Sequence, residues 1–197
     1  MNKNKYFAMI KELSDKQLLL QLYATQVLLL VISAVMGFFL FESKSDFFRI
    51  FQWEDSNIIV FGGGVGLAVV ALDLFLTKIL PSSYYDDGGL NQRIFQTRSV
   101  IQIAVIAGLV SLSEELLFRG ILQTQFGLLI SSSLFALVHF RYLFNWFLFC
   151  NITVLSFLIG SIYALTNNLL VTMFMHFIID FLLGIMIKYS RDRMRYS

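Results

Sequence analysis

SVIQIAVIAGLVSLSEELLFRG, residues 99–120, begins as a membrane-spanning helix and then breaks the rule that such helices follow. Residues 99–113 carry one amide, Gln102, and no charge. Glu114, Glu115 and Arg119 come next, and beyond them the chain stays mostly apolar through Phe140. A charged side chain at the bilayer centre costs roughly 2.5–3.5 kcal/mol on insertion scales, so it faces the interior of a bundle and marks function. Three such side chains in one apolar stretch point to a buried polar site.

The rest of the chain supplies the bundle. Of 197 residues 57% are hydrophobic and 14% charged, where a soluble domain carries about 25% charged residues. Phenylalanine occurs 21 times and proline once. Mean hydropathy is +0.73. Six apolar stretches stand out, at 18–41, 58–80, 99–125, 127–140, 143–166 and 168–188. About 20 residues of helix cross a bilayer, so the fourth is short. The expected fold is an all-α, polytopic membrane bundle of about six transmembrane helices. Three parts are expected: N-terminal helices and a loop over 1–97, a helical core over 98–188, and a basic tail over 189–197. The first stretch is too long for a cleavable leader and reads as an anchor.

Charge sets the orientation. Eight of the 15 basic residues lie near the ends: Lys3, Lys5, Lys11, Lys16, Lys188, Arg191, Arg193 and Arg195. By the positive-inside rule both termini are cytoplasmic, which an even number of spans permits. The expected location is the cell membrane. A net charge of +2 is too small to suggest nucleic acid. The single cysteine, Cys150, excludes an internal disulfide. Gly62 and Gly66 stand at the spacing that lets two membrane helices approach closely.

Ionisable residues inside the spans are Asp73, Glu114, Glu115, Arg119, His139, His176 and Asp180, and they include both histidines of the chain. Glu115 and Arg119 are four apart with the acid first, the favourable order for a helical ion pair. Glu114 is turned by about 100° from Glu115 and points elsewhere. His176 and Asp180 share a face of the last span. Asp73 pairs with Lys78 or lines a cavity. Arg141 snorkels to an interface or shapes the site's entrance. Two histidines and a glutamate bind a metal with an open position, or the glutamate activates a water that the histidines hold. The helical zinc signature is absent. The expectation is therefore no cofactor, with zinc the alternative.

The motifs E114-E115-L-L-F-R119, F135-A-L-V-H139 and H176-F-I-I-D180, in that order on separate helices, resemble those of the CPBP family. These are the CAAX prenyl endopeptidases and their bacteriocin-processing and immunity relatives. The resemblance covers roughly residues 98–187. It implies that Glu114 activates the attacking water together with His139. It implies that His176 and the residue at 180 steady the oxyanion, and that Glu115 and Arg119 support the site, without an obligatory metal. Position 180 is asparagine in the prenyl endopeptidases and aspartate here; an ionised carboxylate accepts hydrogen bonds, which suits it to orienting His176. The expected activity is hydrolysis of a peptide bond in a membrane-embedded or lipidated peptide. The alternatives are a non-catalytic bacteriocin-immunity protein that captures a partner and, ranked last, a proton-coupled carrier, which would show an internal repeat.

Overall fold

A computed structural model describes Ala8 and residues 10–190, and every regular element in it is helical. Lys3, Lys5, Arg191, Arg193 and Arg195, used above to orient the chain, lie outside the described residues. Helix α1 runs Asp15–Leu40. It starts at a capping box in which Ser14 and Gln17 satisfy each other's backbone N–H groups. A short α2, Lys44–Phe48, follows. Helix α3, Ile58–Ile79, opens with π-helical turns over Ile58–Gly63. Helix α4, Leu90–Phe95, is preceded by Asp87, whose carboxylate accepts from the N–H groups of Gly89, Leu90 and Asn91.

Helix α5, Val100–Glu115, begins at a second capping box, Ser99 with Gln102. It continues through π-helical turns over Leu116–Gln123 into α6, Thr124–Val138. This 39-residue element contains the third and fourth apolar stretches of the sequence. They are separated at Gly127, whose φ of 82° and ψ of 170° leave helical space and suit a residue without Cβ. Beyond Gly127 the chain folds back, so that Ser131 and Ser132 of α6 meet Phe118 and Arg119. A 3₁₀ turn, Phe140–Phe144, leads to α7, Trp146–Thr166, and then to α8, Leu169–Tyr189. Among the described residues, five helical elements are long and apolar enough to cross a membrane.

The bundle is sorted inside-out relative to a soluble protein. Phe38, Phe39, Ile101, Leu129 and Leu165 are exposed. Glu115, Arg119, Ser113, Ser131, Ser132, Ser156 and Asn168 are sealed inside at 0% exposure. Lipid solvates apolar side chains, while polar groups must find partners within the protein. Both ends of the bundle are tied by polar contacts. At one end, Arg93 of α4 donates to Asp15 and to the carbonyls of Ile10 and Leu13, and Lys188 donates to the Arg98 carbonyl at 2.6 Å. At the other end, Asn168 donates to the Gln52 carbonyl at 2.8 Å and to Asp55 at 2.9 Å.

Helices α3 and α8 touch at the two glycines. A Cβ on Gly62 would lie 2.8 Å from the Val171 carbonyl oxygen, and one on Gly66 3.2 Å from that of Met175. The close approach read from the glycine spacing is present. Gly64, by contrast, has open space around it. Overpacking a tight contact costs about 1–3 kcal/mol. Gly62→Ala should therefore lower the melting temperature of detergent-purified protein, while Gly64→Ala leaves it unchanged or raises it.

Candidate active site

Three helices carry the residues of the three motifs, α5 with its π-helical continuation, α6 and α8, and α7 closes the back. At the end of α5 the two adjacent glutamates diverge. Glu114 aims Oε2 at His139 Nε2, 3.9 Å away. Glu115 turns inward, where Oε1 accepts from His176 Nδ1 at 2.9 Å. The carboxylate that helix geometry left unpaired is thus the one facing the α6 histidine.

His139 caps the C-terminus of α6. Its Nδ1 lies 2.8 Å from the carbonyl oxygen of Phe135. A carbonyl only accepts, so Nδ1 carries the hydrogen and the lone pair of Nε2 faces Glu114. The Phe135 side chain holds the ring as well, with centroids 4.6 Å apart. The same ring meets Phe118 edge-on at 5.0 Å and lies under the Arg119 guanidinium at 5.3 Å. The four-residue spacing from Phe135 to His139 therefore does two jobs, packing and choice of tautomer.

His176 stands between two carboxylates. Besides Glu115 on Nδ1, Asp180 Oδ2 lies 3.6 Å from Nε2. Asp180 faces the imidazole, the arrangement that suits orientation of His176. The expected Glu115–Arg119 pair is present but loose, with Nε to Oε2 at 3.6 Å, and neither atom has a hydrogen-bond partner. The α-helical spacing argument did not account for the π-helical turns that begin at Leu116. Such turns recur at functional sites.

Exposure divides the set. The side chains of Glu114, His139 and Asp180 are 12%, 17% and 32% exposed, while Glu115 and Arg119 are at 0%. The first three can meet a substrate, and the last two cannot. Among the described residues, no three His, Cys, Asp or Glu side chains converge as metal ligands. His176 turns one ring nitrogen to each of two carboxylates.

The other ionisable candidates fall around this centre. Arg141 lies over the Tyr142 ring at 4.5 Å and donates to its hydroxyl at 2.6 Å. Asp73 makes no ion pair with Lys78 among the described residues. Sequence reading passed over Gln123, Ser131, Ser132 and Ser156, which surround Arg119. It also passed over Gln26 of α1, which accepts from Ser113 at 2.6 Å. Their signal was faint: a serine run inside an apolar helix, a serine and glycine four apart, and an amide within a membrane span.

The model of the Rce1-like type II CAAX prenyl endopeptidases matches residues 96–182. That segment contains Glu114, Glu115, Arg119, His139, His176 and Asp180. YpbD, an uncharacterized protein of Bacillus subtilis (strain 168), is 41% identical over 169 residues, covering 86% of this chain and 89% of its own. The UPF0177 protein YxdF of Lactococcus lactis subsp. lactis (strain IL1403) is 33% identical over 168 residues, covering 82% and 91%. The chain belongs to the Rce1-like CAAX endopeptidase family. Membership places it, at the level of the family, among multi-pass intramembrane endopeptidases. No solved structure matches it.

Losing one partner of a buried ion pair costs about 3–5 kcal/mol, because the other charge stays buried. Glu115→Gln should lower the stability of purified protein by about that much and reduce activity with it. A variant as stable as the parent in thermal unfolding would show that Arg119 does not depend on Glu115.

Proposed function

We propose that the protein cleaves a peptide bond of a membrane-embedded or lipidated peptide, using a water activated by Glu114 and held by His139. The observation that carries this reading is the facing pair itself. Glu114 Oε2 and His139 Nε2 stand 3.9 Å apart, with the histidine's other nitrogen committed to a backbone carbonyl. That separation is too long for a direct hydrogen bond, and a water can bridge polar atoms set so. In the reaction Glu114 takes a proton as the water oxygen adds to the scissile carbonyl. The carbonyl oxygen becomes an oxyanion. The proton then passes to the departing amine as the C–N bond breaks. His176, protonated between Glu115 and Asp180, steadies the oxyanion through its Nε2–H, and Asp180 orients the ring. We place the end of the bundle that carries Arg93, Arg98 and Lys188, and both termini, on the cytoplasmic side of the cell membrane.

A positioned general base contributes about 10²–10⁴-fold. Glu114→Gln should therefore lower cleavage of a peptide library by at least about 10²-fold while the protein still inserts and accumulates. Undiminished cleavage would remove Glu114 from the role. A partner-capturing phenotype that survived the substitution would favour the immunity reading instead.

Cleavage should also persist after prolonged chelation, with metal content measured on the same sample. Loss of activity that stoichiometric zinc restores would overturn the metal-free mechanism.

A further inference from the structure

Behind the site, Arg119 is held by residues that belong to none of the three motifs. Its Nη2 donates to the carbonyl and hydroxyl oxygens of Ser156, both at 2.9 Å. Its Nη1 donates to the hydroxyl of Ser132 at 3.1 Å, with Gln123 Oε1 at 3.4 Å. The two serines are themselves crossed. The Ser132 hydroxyl donates to the Ser156 carbonyl at 3.3 Å, and the Ser156 hydroxyl to the Ser132 carbonyl at 3.2 Å. Each hydroxyl has one hydrogen. With that hydrogen sent across the α6–α7 interface, the lone pairs of both are left for the guanidinium. Gly160 permits the approach, since a Cβ there would lie 2.5 Å from Leu128 Cδ1 and 3.0 Å from Ser132 Oγ.

This arrangement bears on Glu115. A buried arginine beside a carboxylate ordinarily closes a two-pronged contact with both oxygens. Here it does not. Both Nη groups are drawn to α6 and α7, and only Nε faces Glu115, at 3.6 Å from Oε2. Oε1 is left to His176 at 2.9 Å. We propose that Ser132 and Ser156 are positioning residues, which hold Arg119 away from Glu115 Oε1 and so leave that oxygen to orient His176. The proposal rests on the hydrolytic reading for its kinetic consequence but not for its structural one.

The test uses full-length protein labelled with [¹⁵N]histidine, in which two histidines give two sets of ring signals. Wild type is compared with Ser132→Ala/Ser156→Ala and with Thr77→Ala. Thr77 is an exposed residue of α3 whose hydroxyl bonds the Leu74 carbonyl within its own helix. In the double variant the His176 nitrogen signals should move while those of His139 stay. With a cleavable peptide, kcat should fall on the order of tenfold, with KM changed by less than about twofold, as displacement of an oriented group predicts. Thr77→Ala should do neither. In a Glu115→Gln background, at a temperature where that variant is folded, the serine substitutions should change kcat by less than about twofold, because the path is already cut. Unmoved His176 signals, or an undiminished kcat effect in the Glu115→Gln background, would overturn the proposal. If the double variant does not fold, each single variant should show the same signature at smaller amplitude, and its absence in both would count equally against. A wild type that cleaves nothing, with His176 signals that respond to the serines, would sink the peptidase reading and leave the positioning role standing.

Discussion

An arginine at 0% exposure inside a bundle whose outer surface is lipid-solvated has to be solvated by protein. Much of the architecture follows from that requirement. Arg119 needs oxygen acceptors on several sides, and one helix cannot surround it. The chain therefore folds back at Gly127, where the backbone leaves helical space. This brings Ser131 and Ser132 alongside the turn that carries Arg119. Helix α7 then lies close enough to present Ser156, because Gly160 has no Cβ to obstruct it. The small polar residues of α6 and α7, easily read as inert packing, form the solvation shell of one charge.

That charge is coupled to the site through a single carboxylate. Glu115 lies between Arg119 and His176, while Glu114, one residue earlier, faces His139. Helix geometry separates the duties of the two glutamates by about 100° of rotation. Burial separates them further, since the inward side chain is sealed and the outward one is 12% exposed. An outward-facing carboxylate and a sealed one thus occupy consecutive positions without competing. The histidines are treated alike. Each has one ring nitrogen fixed by the protein, His139 on a backbone carbonyl and His176 on Glu115.

Helix α1 precedes the segment matched by the family model yet packs on the helix that bears the glutamates. Gln26 meets Ser113 next to Glu114, and Leu29, Ile32 and Met36 pack on Leu117, Phe118 and Phe135. The two relatives align with more than four-fifths of the chain. Helix α1 thus packs directly on the elements that carry the candidate site.

The membrane setting, the helical class and the identity of the polar centre were legible in the sequence because each has a local signature. Length and hydropathy mark a span, lysine and arginine mark its ends, and charged residues inside apolar runs draw notice by their expense. The divergence of Glu114 from Glu115 followed from helix rotation, and the tight α3–α8 contact followed from Gly62 and Gly66. The tertiary structure decided the rest. Six apolar stretches did not reveal that the third and fourth form one element broken at Gly127, since a glycine in an apolar run is ambiguous between packing and a turn. The spacing of Glu115 and Arg119 did not reveal π-helical turns, which have no fixed sequence pattern. Nor could Ser132 and Ser156 be assigned to Arg119. They are separated from it by 13 and 37 residues, and a neutral hydroxyl crosses apolar sequence without a mark. A charge declares itself wherever it is buried; the groups that solvate it are recognised only once the chain has brought them together.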